Sequence, residues 1–193
     1  MTLWGVIAGG RGLRFGQPKI SAVHDGRTFI DLTLATIDEA ALPGDHVAVG
    51  IANDTPVTFD ETRIVVRDAA DTPGPAHSIA RLAECALAHN HDLVFMPVDM
   101  LRVKPATLRL FVERLRTNRR DARDVVLVAR SGERPHWVLG AVPKSLLPRI
   151  VAGGESVSAV QSLLRLCSVD HLEVDGRELL DVNTPDSLPV DQG

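Results

Sequence analysis

Residues 3–19 read LWGVIAGGRGLRFGQPK. An apolar run from Leu3 to Ala8 stops on paired glycines, then continues through two arginines to a proline and a lysine. A short Val/Ile/Leu-rich run bounded by glycine predicts a strand buried on both faces. The arc behind it has a different character. Gly9, Gly10 and Gly12 leave room for a bulky visitor to approach the main chain, and Arg11, Arg14 and Lys19 suit a visitor that is anionic. Such an arc can turn successive N–H groups inward on a phosphate while cationic side chains close over it. The plain alternative, a solvated hairpin, sits poorly with this composition directly behind a buried strand.

Working outward, similar apolar runs recur as HVAVGI (46–51), RIVV (63–66), DLVFMP (92–97), DVVLVA (124–129) and HWVLGAV (136–142). Segments with helical spacing lie between several of them. FIDLTLATIDEAAL places Ile30, Leu34 and Ile37 on one face. SIARLAECALAH groups Ile79, Leu82, Ala86 and Leu87, and PATLRLFVERLR opens on Pro105 and aligns Leu108, Phe111, Val112 and Leu115. SVSAVQSLLRL predicts a further helix with Ser156 as its cap. Strands alternating with helices predict an α/β fold, three-layered and Rossmann-like, with a mostly parallel central sheet covered by helices on both faces. No repeat, low-complexity segment or linker divides the chain, so residues 1–193 are expected to form a single domain. Gly, Pro, Asp and Asn gather at 52–61 and 68–76, which read as loops. Ligands of open α/β sheets bind beyond the carboxyl ends of strands, so function is to be sought after Ala8, Val66 and Pro97.

Composition narrows the classes. The chain is 45% hydrophobic and 24% charged, ordinary globular usage, and its net charge of −4 argues against a protein that works on nucleic-acid backbones. Cys85 and Cys167 lie in apolar surroundings outside any metal-ligand spacing and read as buried thiols of a reducing compartment. No stretch approaches the roughly 20 apolar residues of a membrane helix. A cytoplasmic protein without nucleic-acid or membrane partners is expected.

Two phosphate-binding patterns fail on the glycine arc. A P-loop needs Gly-Lys-Ser/Thr, but Gln17 and Pro18 separate Gly16 from Lys19. The dinucleotide fingerprint, started at Gly10 and Gly12, puts Phe15 where its third glycine belongs, which weakens a hydride-transfer reading. What the run IAGGRGLRFGQPK does resemble is the N-terminal signature of the nucleotidyltransferases with a GT-A-like fold, with Ile7 for the usual Leu and Phe15 for the usual Met. Within that superfamily the chain is most similar to the molybdenum cofactor guanylyltransferases, from about Leu3 to Leu188. VVRDAADTPGPAHSI (65–79) resembles the family's strand, Asp and Gly-Pro segment beside the nucleotide. DLVFMPVDM (92–100) resembles the strand that ends in the metal-binding Asp, matching Asp99. LLDVNTPDSL (179–188) resembles the C-terminal Asn-Val-Asn-Thr-Pro motif, with Asp181 replacing the first Asn.

The resemblance implies a nucleotidyltransferase that moves GMP from GTP to the molybdopterin cofactor and releases pyrophosphate, with Mg²⁺ as cofactor and cofactor-delivery or acceptor proteins as further partners. It implies Lys19, Arg14 and Asp99 as catalytic residues, Asp99 as the metal ligand, and nucleotide contacts from Ile7, Ala8, Gly9, Gly10, Arg11, Gly12, Lys19, Asp68, Gly74, Asp181 and Asn183. The chemistry agrees with the composition. Charge screening and in-line positioning do most of the work in such a transfer, no protein nucleophile is needed, and Mg²⁺ asks for only one or two carboxylates.

Other readings stand beside these. Asp68 also suits a turn, and Asp181 and Asn183 also suit the cap of a following helix. His89-Asn90-His91 reads as a helix end that favours imidazole, and the basic run 114–123 as a solvated helix end. His136 and Trp137 fall where the family has a His near the acceptor. Ala76-His77 after Gly74-Pro75 departs from the guanine-using pattern, and Asp181 is shared with the cytidylyl branch, so CTP is the alternative nucleotide. A non-catalytic nucleotide-binding module is the alternative outside enzymes.

Overall fold

The apolar run behind Met1 forms a strand buried at all six residues, as a run without polar alternation requires. The computed structural model describes residues 1–9, 18–68, 74–154 and 156–182. In chain order these form β1 (Thr2–Ile7), a 3₁₀ turn (Lys19–Ser21), β2 (Val23–His24), β3 (Arg27–Thr28), α1 (Phe29–Ala40), β4 (His46–Ile51), β5 (Arg63–Arg67), α2 (Pro75–Ala88), β6 (Asp92–Pro97), α3 (Pro105–Arg120), β7 (Val126–Ser131), β8 (Arg134–Val142), α4 (Leu147–Gly153), α5 (Val160–Leu164) and β9 (Val169–Glu173).

Seven strands make one sheet in the order β5-β4-β1-β6-β8-β7-β9. Only β8 runs against its neighbours, β6 and β7; every other pairing in this sheet is parallel. On one face Ile37 of α1 and Leu108 and Phe111 of α3 meet Trp4, Val6, Val94 and Met96. On the other, Ile79 and Leu82 of α2, Ile150 of α4 and Leu163 of α5 meet Leu3, Leu93, Phe95 and Val128. This is the expected three-layer α/β architecture with a mostly parallel sheet.

Several helices are placed by their ends. Thr28 and Asp31 form a reciprocal capping box at the start of α1. The buried Glu178 carboxylate braces the start of α3 from a distant part of the chain, accepting from the Lys104 N–H at 3.1 Å and the Thr107 hydroxyl at 2.6 Å. Two local expectations fail. Ser156 does not cap the helix after it. Its N–H and that of Val157 both bond back to the Gly153 carbonyl, closing α4, so the chain unwinds before restarting at Val160. Leu87 is 42% exposed, because it lies off the α2 stripe formed by Ile79, Leu82, Ala83 and Ala86. Both cysteines are free thiols, Cys167 buried and Cys85 half-buried, and burial pushes both pKa values up. No helix among the described residues is long and apolar enough to cross a membrane.

The amino end of β6 is tied down by Asp92. This buried carboxylate accepts from Arg119 Nη2 at 2.6 and 2.7 Å and from the Lys144 backbone N–H at 2.9 Å. Asp92→Ala leaves that N–H and guanidinium without their acceptor. We expect a loss of about 2 kcal/mol and a melting temperature lower by roughly 4–8 °C, read by calorimetry; an unchanged midpoint would contradict this role.

Candidate active site

Parallel pairing makes β1, β4, β5 and β6 end along one edge, and single hydrogen bonds carry the ladders past each end. Ala8 N–H donates to the Gly50 carbonyl at 2.8 Å, Asp68 N–H to Ile51 at 2.9 Å, and Val98 N–H to Ile7 at 3.1 Å. The three places marked for function therefore adjoin. Ile7, Ala8 and Gly9 lie at the centre, with Asp68 beyond β5 and Asp99 beyond β6.

Lys19 reaches this edge from the 3₁₀ turn. Ile20 and Ala22 behind it are each 1% exposed and packed in the α1/α3 core, which fixes the backbone of Lys19. Its ammonium pairs with Asp99 Oδ2, eighty residues away, and both side chains are largely shielded from solvent. Asp181 arrives from the other end of the chain. Val182, 1% exposed, donates its N–H to the Asp99 carbonyl at 3.0 Å, which brings the neighbouring Asp181 alongside. Partial burial, and then the Asp99 carboxylate, push the Asp181 carboxyl above the usual range, while Lys19, His136 and Arg134 pull it back. Two carboxylates thus share one neighbourhood with a lysine.

His136 joins this group through an irregularity in the sheet. β7 and β8 slip register between Val128 and Ala129, so Val128 faces Gly140 but Ala129 faces His136. Opposed residues of an antiparallel pair share a face, and Ala129 belongs to the α1/α3 core. His136 therefore lies on the Asp99 side of the sheet. Burial and Arg134 lower its pKa, and Asp181 raises it. Trp137 turns the opposite way and stacks under the Arg165 guanidinium, 5.1 Å from its ring centre. Of the two neighbours considered for the acceptor side, only His136 is brought to the site.

A second group lies at the start of α2. Asp68 is 8% exposed; its Oδ2 accepts from the Ser78 hydroxyl at 2.6 Å, while Oδ1 is buried with no hydrogen-bond partner among the described residues. Burial raises its pKa, opposed by Ser78, His77 and Arg81. Gly9 owes its lack of a side chain to this carboxylate, since a Cβ there would stand 2.8 Å from Asp68 Oδ2. Gly74 precedes α2 with φ of +142°, a conformation side chains rarely adopt, and Pro75 takes the first helical position. Asn53, Arg67, Asp68, His77, Arg81 and Glu84 help to line a cleft of about 440 Å³ alongside.

The predicted residues thus fall into two groups: Lys19, Asp99 and Asp181 together, and Gly9, Asp68 and Gly74 together. Gly10, Arg11, Gly12, Arg14 and Asn183 lie outside the described residues. Sequence reasoning missed Ser78 as the partner of Asp68 and Arg134 as a charge beside Asp181, neither of which carries a motif signal. His89 ends α2 with its ring bonded to the Cys85 carbonyl at 2.8 Å, and its ring clusters with those of His46 and His91. The basic run spends Arg119 on Asp92 and Arg123 on Asp170. No group of three or more His, Cys, Asp or Glu among the described residues could hold a metal. Among the described residues, a cation at Asp99 would find Asp181 as a second carboxylate and draw other ligands from water and substrate, the usual habit of Mg²⁺.

The profile of the family described as MobA-like NTP transferase domain matches residues 5–174. Among solved structures, Rv0371c from Mycobacterium tuberculosis is 24% identical with a TM-score of 0.68, over 96% of this chain and 93% of that one. It is also known in complex with manganese. Molybdopterin-guanine dinucleotide biosynthesis protein A from Archaeoglobus fulgidus is 19% identical with a TM-score of 0.70, over 96% and 94%. The 2-C-methyl-D-erythritol 4-phosphate cytidylyltransferase of Thermus thermophilus is 17% identical with a TM-score of 0.65, over 96% and 95%. At these identities the likeness establishes the fold. No curated protein sequence matches the chain.

Because the fold raises the pKa of Asp68, it disfavours the ionised carboxylate, and stability falls as pH rises from the unfolded value of about 3.9. Asp68→Asn removes that cost and keeps an acceptor for Ser78. We expect the variant to melt higher than the parent at pH 7, with the gap closing as pH drops below about 4, in thermal scans across pH. A variant less stable than the parent at pH 7 would show that the carboxylate is stabilising as it stands.

Proposed function

The chain belongs to the family of MobA-like NTP transferase domains, and on that premise we propose that it transfers GMP from GTP to the molybdopterin cofactor with release of pyrophosphate. The observation that carries this reading is the meeting of Lys19 and Asp99 at the carboxyl ends of β1 and β6, with Asp181 beside them. A cation and a carboxylate pair at a strand edge suit a reaction in which two anions must approach each other.

In this reading the terminal phosphate oxygen of the acceptor attacks the α-phosphorus in line, and the bond from that phosphorus to the bridging oxygen of the β-phosphate breaks. The electron pair leaves with pyrophosphate. Lys19 binds the phosphates and meets the charge that grows on the leaving group, a fixed donor of the kind that lowers such barriers. The hard oxygens of Asp99 and Asp181 fit Mg²⁺ or Mn²⁺, which when bound neutralises phosphate charge. Arg14 would add a second cation from the glycine arc, and His136 orients the acceptor phosphate. Asp68 offers the base its Oδ1, which has no partner among the described residues; guanine presents N1–H and N2–H₂, and cytosine N4–H₂. The likeness to a cytidylyltransferase fold and the Asp181 substitution favour CTP as the second reading.

The test is pyrophosphate release with GTP, CTP, ATP or UTP in the presence of Mg²⁺ and molybdopterin cofactor. We expect release with GTP, and Asp99→Ala to lower it by at least about 100-fold while the protein stays folded. Release with CTP alone would replace the nucleotide and keep the transferase. No release with any of the four, or near-normal turnover in folded Asp99→Ala, would remove the reading.

A further inference from the structure

We infer that Lys19 is a place-holding cation: in the nucleotide-free protein its ammonium occupies the position on Asp99 that a divalent ion takes during catalysis, so the metal enters with the triphosphate and not ahead of it. This rests on the proposed function for the identity of the metal position. The geometry supports it in three ways. The ammonium contacts Asp99 Oδ2 directly, with Lys19 and Asp99 side chains 19% and 13% exposed. That shielded contact stands where an incoming ion must bind. The lysine backbone is pinned by buried Ile20 and Ala22, whereas a lysine's four-carbon stem is flexible and carries a compact charge, unlike the rigid fork of an arginine. Finally, among the described residues the donor set is short. No group of three His, Cys, Asp or Glu side chains there could chelate an ion, so a divalent cation arriving without nucleotide meets Asp99 and Asp181 together with an ammonium that already neutralises one of them.

A triphosphate changes this balance. Its oxygens complete the metal's coordination and give the displaced ammonium a new anionic partner, so each ligand promotes the other. By linkage, the factor by which nucleotide tightens metal equals the factor by which metal tightens nucleotide. Lys19 thus serves twice: it keeps Asp99 and Asp181 from facing each other without a counter-charge, and it passes to the phosphates when the ion arrives.

The experiment titrates Mn²⁺ into the full chain without nucleotide and counts free ion by electron paramagnetic resonance, for the parent, Lys19→Met, Lys19→Gln and Lys19→Arg. We expect both neutral variants to bind Mn²⁺ at least tenfold more tightly than the parent, and the arginine variant no more tightly than the parent. Adding Asp99→Ala to Lys19→Gln should abolish the gain. The inference is overturned if the neutral variants bind Mn²⁺ no better than the parent, if Lys19→Arg gains as much as they do, or if the gain survives loss of Asp99. Should Lys19→Met not fold, Lys19→Gln carries the comparison. No nucleotide enters this titration, so failure of the transferase reading would show in pyrophosphate release and leave this result distinct.

Discussion

β1 is held between two parallel neighbours, with Leu3 opposite His46 on one side and Leu93 on the other, and the pairing runs on to Ile7 opposite Gly50 and Pro97. That register decides where the chain leaves the sheet. Each of β1, β4, β5 and β6 delivers its next residues to the same edge, and a slip of one position would turn the buried face of β1 over. Trp4 and Val6 pack on one core while Leu3 and Ile7 pack on the other, so neither face tolerates the exchange. Asp99 and Gly9 are placed by this constraint before any interaction of their own.

Around that edge the sequence puts charges where a core would reject them. Asp68 is buried with Oδ1 lacking a hydrogen-bond partner among the described residues, and the Asp99 carboxylate helps to raise the pKa of Asp181. Each is a local cost, whereas the buried Asp92 and Glu178 have several donors apiece. The contrast separates carboxylates that hold the fold from those that the fold holds for something else. Strain of this kind gathers at functional sites, and here it gathers beyond β5, at Asp68, and beside Asp99 after β6.

Much of the architecture was legible because two-sided burial leaves an unambiguous mark. The runs at 46–51 and 92–97 coincide with β4 and β6. β9 left no such mark: Val169, Asp170, His171, Leu172 and Glu173 form an edge strand with a single buried residue, Leu172. The β2/β3 hairpin did carry a signal in Asp25-Gly26, both with positive φ, but two-residue strands offer no periodicity to join it to. Lys19 and Asp99 were named as site residues through the family signature. Their contact across eighty positions follows from strand order, which local patterns do not encode. Ser156 misled for the converse reason, since a good capping residue is silent about whether the preceding helix has already used its backbone donors. The register slip that turns His136 and not Trp137 toward the site likewise depends on pairing with β7.

The central claim is that the Lys19–Asp99 edge receives the metal and the phosphates of a nucleotide. The most direct measurement is a crystal structure with Mn²⁺ and a non-hydrolysable GTP analogue, with the ion located by anomalous scattering. The ion is expected in direct coordination with an Asp99 carboxylate oxygen, at about 2.0–2.1 Å as for Mg²⁺, with the Lys19 ammonium moved onto phosphate oxygen. An ion bound elsewhere, with nucleotide in place and Lys19 still paired to Asp99, would contradict it.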